Sequence, residues 1–146
     1  MKLKAIIMAA AMATTVLAST RVASAQDHLV VTVPFDFAAG SANLPAGDYT
    51  VKATPANGMI LLLNRTNPEV SAFIPANASV ASDIQTQSKL IFNRYGDRYF
   101  LSQVWTEGSS RGKQLLKSDR EKETALVASA DSAQVTLVAS LSTTPR

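Results

Sequence analysis

The sequence contains no cysteine and a single histidine, His28, among its 146 residues. Without cysteine there is no disulfide framework and no thiol that could carry a lipid anchor. One histidine cannot complete the usual zinc ligand sets, and a histidine-based nucleophilic triad would have to be assembled at His28 itself. We therefore expect no metal site, no cofactor and no catalytic residues, and a protein that is not an enzyme.

The chain also lacks an apolar run long enough to cross a membrane. Its longest such run, from Ala5 to Ala18, follows Lys2 and Lys4 and has only about two-thirds of the ~20 residues that a spanning helix needs. The small residues Ala23 and Ala25 then provide a peptidase cleavage site. The pattern predicts a secretory signal peptide over residues 1–25 and a single β-rich domain over residues 26–146, exported to the periplasm or outside the cell and without a transmembrane segment.

A charge excess is absent from the predicted mature chain. The formal net charge of +3 is accounted for by Lys2, Lys4 and Arg21, which leaves eleven basic and eleven acidic residues after position 25. A balanced composition predicts no attraction to nucleic acid or to an anionic membrane surface.

The strongest structural pattern is a hairpin from Lys89 to Thr106, in which two β-rich runs flank the turn dipeptide Gly96-Asp97. Pairing outward from a two-residue turn predicts the partners Tyr95/Arg98, Arg94/Tyr99, Phe92/Leu101 and Leu90/Gln103. Alternation predicts one face with Leu90, Phe92, Tyr99, Leu101 and Trp105, and another with Ile91, Tyr95, Phe100 and Val104. Because both faces are rich in apolar residues, we expect the hairpin to lie mid-sheet and to be covered on both sides.

Further strands are predicted wherever apolar residues alternate or run together between turn residues. They span Leu29–Phe37 with Pro34 at an edge or bulge, Tyr49–Ala53, Met59–Leu63 after the turn Asn57-Gly58, Val70–Ile74 closed by Pro75, and Val135–Leu141. A polar loop is expected over residues 77–88.

Ser118 and Glu121 have the capping-box spacing, so a helix should begin there and lie on the second face of the hairpin. The sum predicts a mainly antiparallel all-β protein, a small sandwich or barrel of about seven strands with one helix in the C-terminal half.

The aromatic and arginine side chains of the hairpin are the candidate binding residues. They are Arg94, Tyr95, Arg98, Tyr99 and Trp105. Aromatics and arginine concentrate at sugar-binding and protein-binding surfaces. The alternative is cross-strand packing, with arginine stems lying over the tyrosine rings, and we favour this alternative.

Three stretches of the sequence carry specific motifs, Val33-Pro-Phe-Asp-Phe37, Leu44-Pro-Ala-Gly-Asp-Tyr-Thr-Val51 and Arg94-Tyr-Gly-Asp-Arg-Tyr-Phe-Leu-Ser-Gln-Val-Trp105. In these motifs the chain resembles a group of small uncharacterised exported proteins of soil bacteria. The resemblance implies an exported bacterial β-protein. It assigns no catalytic or binding residue.

Three functional hypotheses follow. The first is a non-enzymatic exported β-module that acts through a surface, in the cell envelope or outside the cell, on an envelope protein or a glycan. The second is a small β-barrel that carries a small apolar ligand in its interior, as lipocalin-like folds do. A carbohydrate-active enzyme is a distant third, because the acidic residues are scattered singly and would need the fold to bring two together.

Overall fold

The computed structural model describes residues 26–54, 58–128 and 130–144. The predicted signal peptide, residues 1–25, lies outside them. The described chain forms ten strands and one helix: β1 (Gln26–Val33), β2 (Phe37–Ala39), β3 (Ala42–Leu44), β4 (Gly47–Thr54), β5 (Met59–Asn64), β6 (Ser71–Val80), β7 (Ser88–Tyr95), β8 (Arg98–Trp105), β9 (Arg111–Leu115), α1 (Asp119–Val127) and β10 (Ser132–Thr144).

Eight of these strands close into a barrel. Their order is β8-β7-β10-β1-β4-β5-β6-β9, and pairing between β9 and β8 completes the circle. The remaining two strands, β2 and β3, form a hairpin beside β8, where β2 makes the only parallel pairing among the described strands. The prediction of a mainly antiparallel all-β fold with one late helix is confirmed. The barrel has more strands than the seven predicted.

Two long strands change partner along their length. β6 pairs with β5 up to Pro75 and with β9 from Ala76 onward. β10 pairs with β7 over Ser132–Ala139 and with β1 over Ser140–Thr144. Strands that pass from one sheet to another in this way make the corners where two sheets meet. The fold therefore combines the two predicted alternatives, a barrel assembled from two sheets.

The predictions for Pro34 and Pro75 were wrong. Pro34 does not lie within a strand, because β1 ends at Val33 and the chain resumes pairing only at Phe37; β1 itself lies between β10 and β4 and is not an edge strand. Pro75 does not end β6, because it stands where the strand exchanges β5 for β9. Proline lacks the N–H that a continuous ladder requires, and a change of partner tolerates that loss.

The predicted loop over residues 77–88 and the polar segment after Trp105 both contain strand residues. β6 continues to Val80, and β9 inserts between β6 and β8 to close the barrel. Among the residues of β9 only Leu115 is buried. A strand with one inward apolar residue has no alternating pattern, which is why the sequence did not predict it.

The barrel interior is filled with side chains. Leu29, Val31 and Val33 of β1 are buried, and the largest fully buried side chains are Tyr49, Phe92, Ile60, Leu62 and Leu90. At one end the rings of Phe35 and Phe37 pack edge-on against Phe92, with centroids 5.2 and 5.4 Å away. These rings extend the core to the end of the barrel.

The central hairpin has the predicted register near its turn and a different one beyond it. Tyr95 pairs with Arg98, Arg94 with Tyr99 and Phe92 with Leu101. A bulge at Ser102 then shifts the register, so that Leu90 faces Val104 instead of Gln103. One extra residue reverses the alternation. Val104 therefore lies in the barrel core, and Trp105 lies on the outer face, which is the reverse of the prediction.

Gly96 and Gly58 have φ of +63° and +61°, in the region that favours glycine. Asp97 has no positive φ, which matches a type II′ turn with glycine first. The other connection is longer than predicted, because Thr54 pairs with Met59 across four residues; Asn57 lies outside the described residues.

The helix α1 begins as predicted. The Ser118 hydroxyl accepts a hydrogen bond from the Glu121 backbone N–H at 3.2 Å. Ala125 and Ala128 pack on Tyr95 and Phe100 of the hairpin's outer face, so the predicted docking of the helix on that face is confirmed.

Candidate binding groove

The structure separates the five candidate binding residues into three places. Tyr95 is buried beneath α1, and Arg94 lies beside Asp131, with Nη2 3.7 Å from its carboxylate. Trp105 is buried, and its indole Nε1 donates to Gln103 Oε1 at 2.8 Å.

The Trp105 ring also lies against Gly112, where a Cβ atom would approach a ring carbon to 2.5 Å. Trp105 is therefore packed against β9. Arg98 and Tyr99 line an open site together.

That site is a surface groove of about 630 Å³. It forms where the β2–β3 hairpin, the β7–β8 turn and the first turn of α1 converge, and we call it the Arg98 groove. The lining residues are Asp36, Phe37, Ala38, Asn43, Leu44, Pro45, Asp97, Arg98, Tyr99, Phe100 and Arg120.

The aromatic wall of the Arg98 groove is held from behind. The Tyr99 ring stacks on Phe35 with centroids 3.8 Å apart and planes inclined by 14°. Phe35 packs in turn on fully buried Phe92. A ring supported by the core presents a surface that loses little conformational entropy when a ligand stacks on it.

Two polar contacts position the opposite wall. Arg120 Nη1 donates to Asn43 Oδ1 at 2.7 Å, which ties the helix to β3. Asp36 Oδ1 accepts a hydrogen bond at 2.9 Å from the backbone N–H of Ala46. These hydrogen bonds fix the positions of Arg120, Asn43 and Asp36 at the rim of the groove.

Arg98 and Asp97 are placed differently. Both are exposed, and neither side chain has a hydrogen-bond or ion-pair partner within the part of the chain that the structure describes. A guanidinium with free planar donors and a carboxylate with free acceptors flank the supported Tyr99 ring. The groove combines two arginines with two aspartates, so its lining is balanced in charge and suits a polar ligand with many hydroxyls.

A buried carboxylate on the outer wall was missed by the sequence analysis. Glu121 is only 4% exposed. Its Oε1 accepts hydrogen bonds from Asn93 Nδ2 at 2.9 Å and from the Tyr95 hydroxyl at 3.1 Å. The capping-box spacing placed Glu121 in the first turn of the helix and gave no indication that its carboxylate is buried.

The environment of Tyr95 changes its acidity. Burial is the main cause that raises the pKa of the Tyr95 hydroxyl, and the neighbouring Glu121 carboxylate raises it further. The hydroxyl therefore stays protonated and continues to donate to Glu121 at neutral pH.

Two structural features were searched for besides the groove, a cluster of metal ligands and a membrane-spanning helix. Across residues 26–54, 58–128 and 130–144, no group of three His, Asp or Glu side chains is placed to hold a metal ion. The same residues include no helix with the length and apolar character needed to span a membrane. Comparisons with protein-family models, with curated proteins and with solved structures found no match to this chain.

Proposed function

We propose that this chain is a non-enzymatic exported β-module that binds a glycan of the cell envelope or its surroundings through the Arg98 groove. The observation that carries the proposal is the pairing of free polar side chains, Arg98 and Asp97, with the core-supported ring of Tyr99. Export rests on the signal-peptide pattern of residues 1–25.

A glycan fits this groove by its chemistry. Sugar rings offer apolar C–H faces that stack on an aromatic ring, and hydroxyls that pair with planar polar side chains. An open groove also admits a chain that is longer than the site. The balanced charge of the lining favours a neutral ligand over a strongly anionic one.

The barrel interior favours this role over that of a carrier. A carrier requires an apolar cavity of several hundred cubic ångströms. Here the rings of Tyr49 and Phe92 and the side chains of Ile60, Leu62 and Leu90 fill the interior and are fully buried. A binding site on the outside of the wall is consistent with such packing.

A carbohydrate-cleaving enzyme is the competing proposal, because Asp36 and Asp97 line the same groove. Glycosidases use two carboxylates on either side of the scissile bond. Asp36, however, is occupied by the Ala46 N–H and holds the turn before β4. This commitment supports binding without hydrolysis.

The test is binding of purified protein to a panel of envelope and environmental polysaccharides, including peptidoglycan, followed by titration calorimetry with the best ligand. Arg98→Ala should weaken binding at least tenfold while the melting temperature stays within a few degrees, since Arg98 is exposed and unpaired. Arg111→Ala is the matched control, because Arg111 is an exposed arginine outside the groove.

Three outcomes would overturn the proposal. The first is no binding to any polysaccharide, and the second is equal loss of binding in Arg98→Ala and Arg111→Ala. The third is release of new reducing ends from the ligand by the wild-type protein and not by Asp97→Asn, which would make the protein an enzyme.

A further inference from the structure

One flank of the last strand is open. Over Ser132–Ala139, β10 pairs with β7 on one side. Within residues 26–54, 58–128 and 130–144, no strand pairs with the other side of β10 before Ser140, the residue at which its pairing with β1 begins. A strand has two hydrogen-bonding flanks, so this stretch presents unpaired N–H and C=O groups along the sheet.

The burial pattern agrees with an open flank. Val135 and Leu137 point into the barrel, opposite Phe92 and Leu90 of β7, which are fully buried. Val135 and Leu137 themselves are only half-buried. Residues on the same face of neighbouring strands differ in this way when one strand has nothing beyond it.

The other strand that changes partner, β6, is protected from pairing with another chain. β6 also changes partner midway, but it carries Pro75 at that point, and its inward residues Ala72, Ile74 and Ala76 are all buried. β10 has no proline and no charged residue over its whole length, SAQVTLVASLSTT. Proline and charge are the usual means by which monomeric proteins prevent a sheet edge from pairing.

We propose that the open flank of β10 pairs with the same flank of a second copy of this chain. Backbone N–H and C=O groups select an extended strand, and an antiparallel pair of identical strands is closed by a twofold axis. Centring the pair on the free stretch places Val135 on the axis and Ala133 opposite Leu137 of the second copy. The half-buried apolar residues are then covered.

The charges near β10 are compatible with this pairing. The strand contributes none, so two copies meet without repulsion. The charges at the ends of the joined sheet add no repulsion, because Asp131 is ion-paired with Arg94 of its own chain and Lys89 lies beside exposed Val138 on the outward face.

The first test measures oligomeric state by analytical ultracentrifugation over a range of micromolar concentrations. The wild-type protein should be dimeric. Gln134→Lys together with Thr136→Lys places like charges opposite each other across the axis and should raise the dimer dissociation constant at least tenfold. Both positions are exposed, so folding should persist.

The control carries the same added charge on paired strands. Thr50 of β4 and Gln114 of β9 each have a strand on both flanks. Thr50→Lys together with Gln114→Lys should therefore leave the dimer intact.

The second test uses the absence of cysteine. Val135→Cys should form an intermolecular disulfide on mild oxidation, because directly opposed residues of an antiparallel pair have Cα atoms about 4.5–5.5 Å apart, within disulfide range. Thr50→Cys should not. A wild-type protein that stays monomeric, or that captures strand peptides instead of its own copy, would overturn the proposal, as would equal cross-linking at both positions.

Discussion

The inner and outer faces of the β7–β8 hairpin are covered in different ways. The inner face buries Leu90, Phe92 and Leu101 against side chains from most of the barrel. The outer face is covered by one helix of nine residues, with Asn93 and Tyr95 hydrogen-bonded to Glu121. Apolar packing, which has no preferred direction, stabilises the inner face, whereas the outer face depends on a few directed contacts.

The helix itself explains why the outer face needs those contacts. A helix of nine residues is too short to be stable alone in water. Its largest apolar residues do not pack against the hairpin, since Leu126 is 81% exposed and Val127 is 90% exposed. The helix is held by the small side chains Ala125 and Ala128 and by the Glu121 carboxylate. The two faces should therefore respond differently to substitution.

The largest effect is expected on the inner face. Phe92 is fully buried and contacts the rings of both Phe35 and Phe37. Phe92→Ala should lower the free energy of unfolding by about 3–5 kcal/mol, because it removes a buried ring and leaves a cavity. Urea unfolding measures this loss.

The neighbouring residue provides the control for that substitution. Ile91 is half-buried and points to the outer face. Ile91→Ala should cost about 1 kcal/mol, the centre of the range for point substitutions. A cost for Ile91→Ala as large as that for Phe92→Ala would contradict the assignment of the two faces.

A smaller effect is expected where Glu121 joins the helix to the outer face. Glu121→Ala leaves the Tyr95 hydroxyl and the Asn93 amide without their acceptor beneath the helix. Hydrogen bonds to charged groups contribute about 1.5–3 kcal/mol, so we expect a loss of about 2 kcal/mol. Hydrogen exchange should show faster exchange in α1 than in β7.

Glu123 of the same helix is exposed and serves as the matched control. Glu123→Ala should change stability by no more than about 0.5 kcal/mol. Equal effects of the two substitutions would mean that the buried carboxylate does not hold the helix.

The two ends of the β7–β8 hairpin differ in how far the sequence predicted them. Alternation and the Gly96-Asp97 turn predicted the pairing from Tyr95 back to Phe92, because each is a local property. The bulge at Ser102 was not predicted, since a single extra residue leaves no compositional pattern. Beyond it, the inward and outward residues of β8 were predicted the wrong way round, whereas Leu90 of β7 faces inward as predicted.

The sequence analysis named two of the residues that line the groove, and it did not predict the groove itself. Arg98 and Tyr99 were chosen for their residue types, and both line the groove. Asp36, Asn43 and Arg120 come from positions far apart in the chain and meet only because β2 pairs with β8 and Arg120 binds Asn43. Contacts of that kind depend on the closed barrel, which no local pattern specifies.

The smallest effect tests the outer face through pH. Because burial and then the Glu121 charge raise the pKa of Tyr95, the folded protein holds this proton more tightly than the unfolded chain does. That contribution to stability is present below the ordinary tyrosine pKa of about 10 and is lost as the pH rises through the higher pKa of the folded state.

Stability should therefore fall above pH 10, and Tyr95→Phe should reduce the slope of that fall while costing about 1 kcal/mol at neutral pH through the lost hydrogen bond. Tyr49, whose pKa is also raised by burial, accounts for the slope that remains. Glu121→Gln separates the two causes at Tyr95, because it removes the charge and keeps the burial. The alkaline loss should then lessen without disappearing. Urea unfolding at pH 8 to 11 measures the wild type and both variants, and an identical alkaline slope in Tyr95→Phe and the wild type would show that the outer face does not hold this proton.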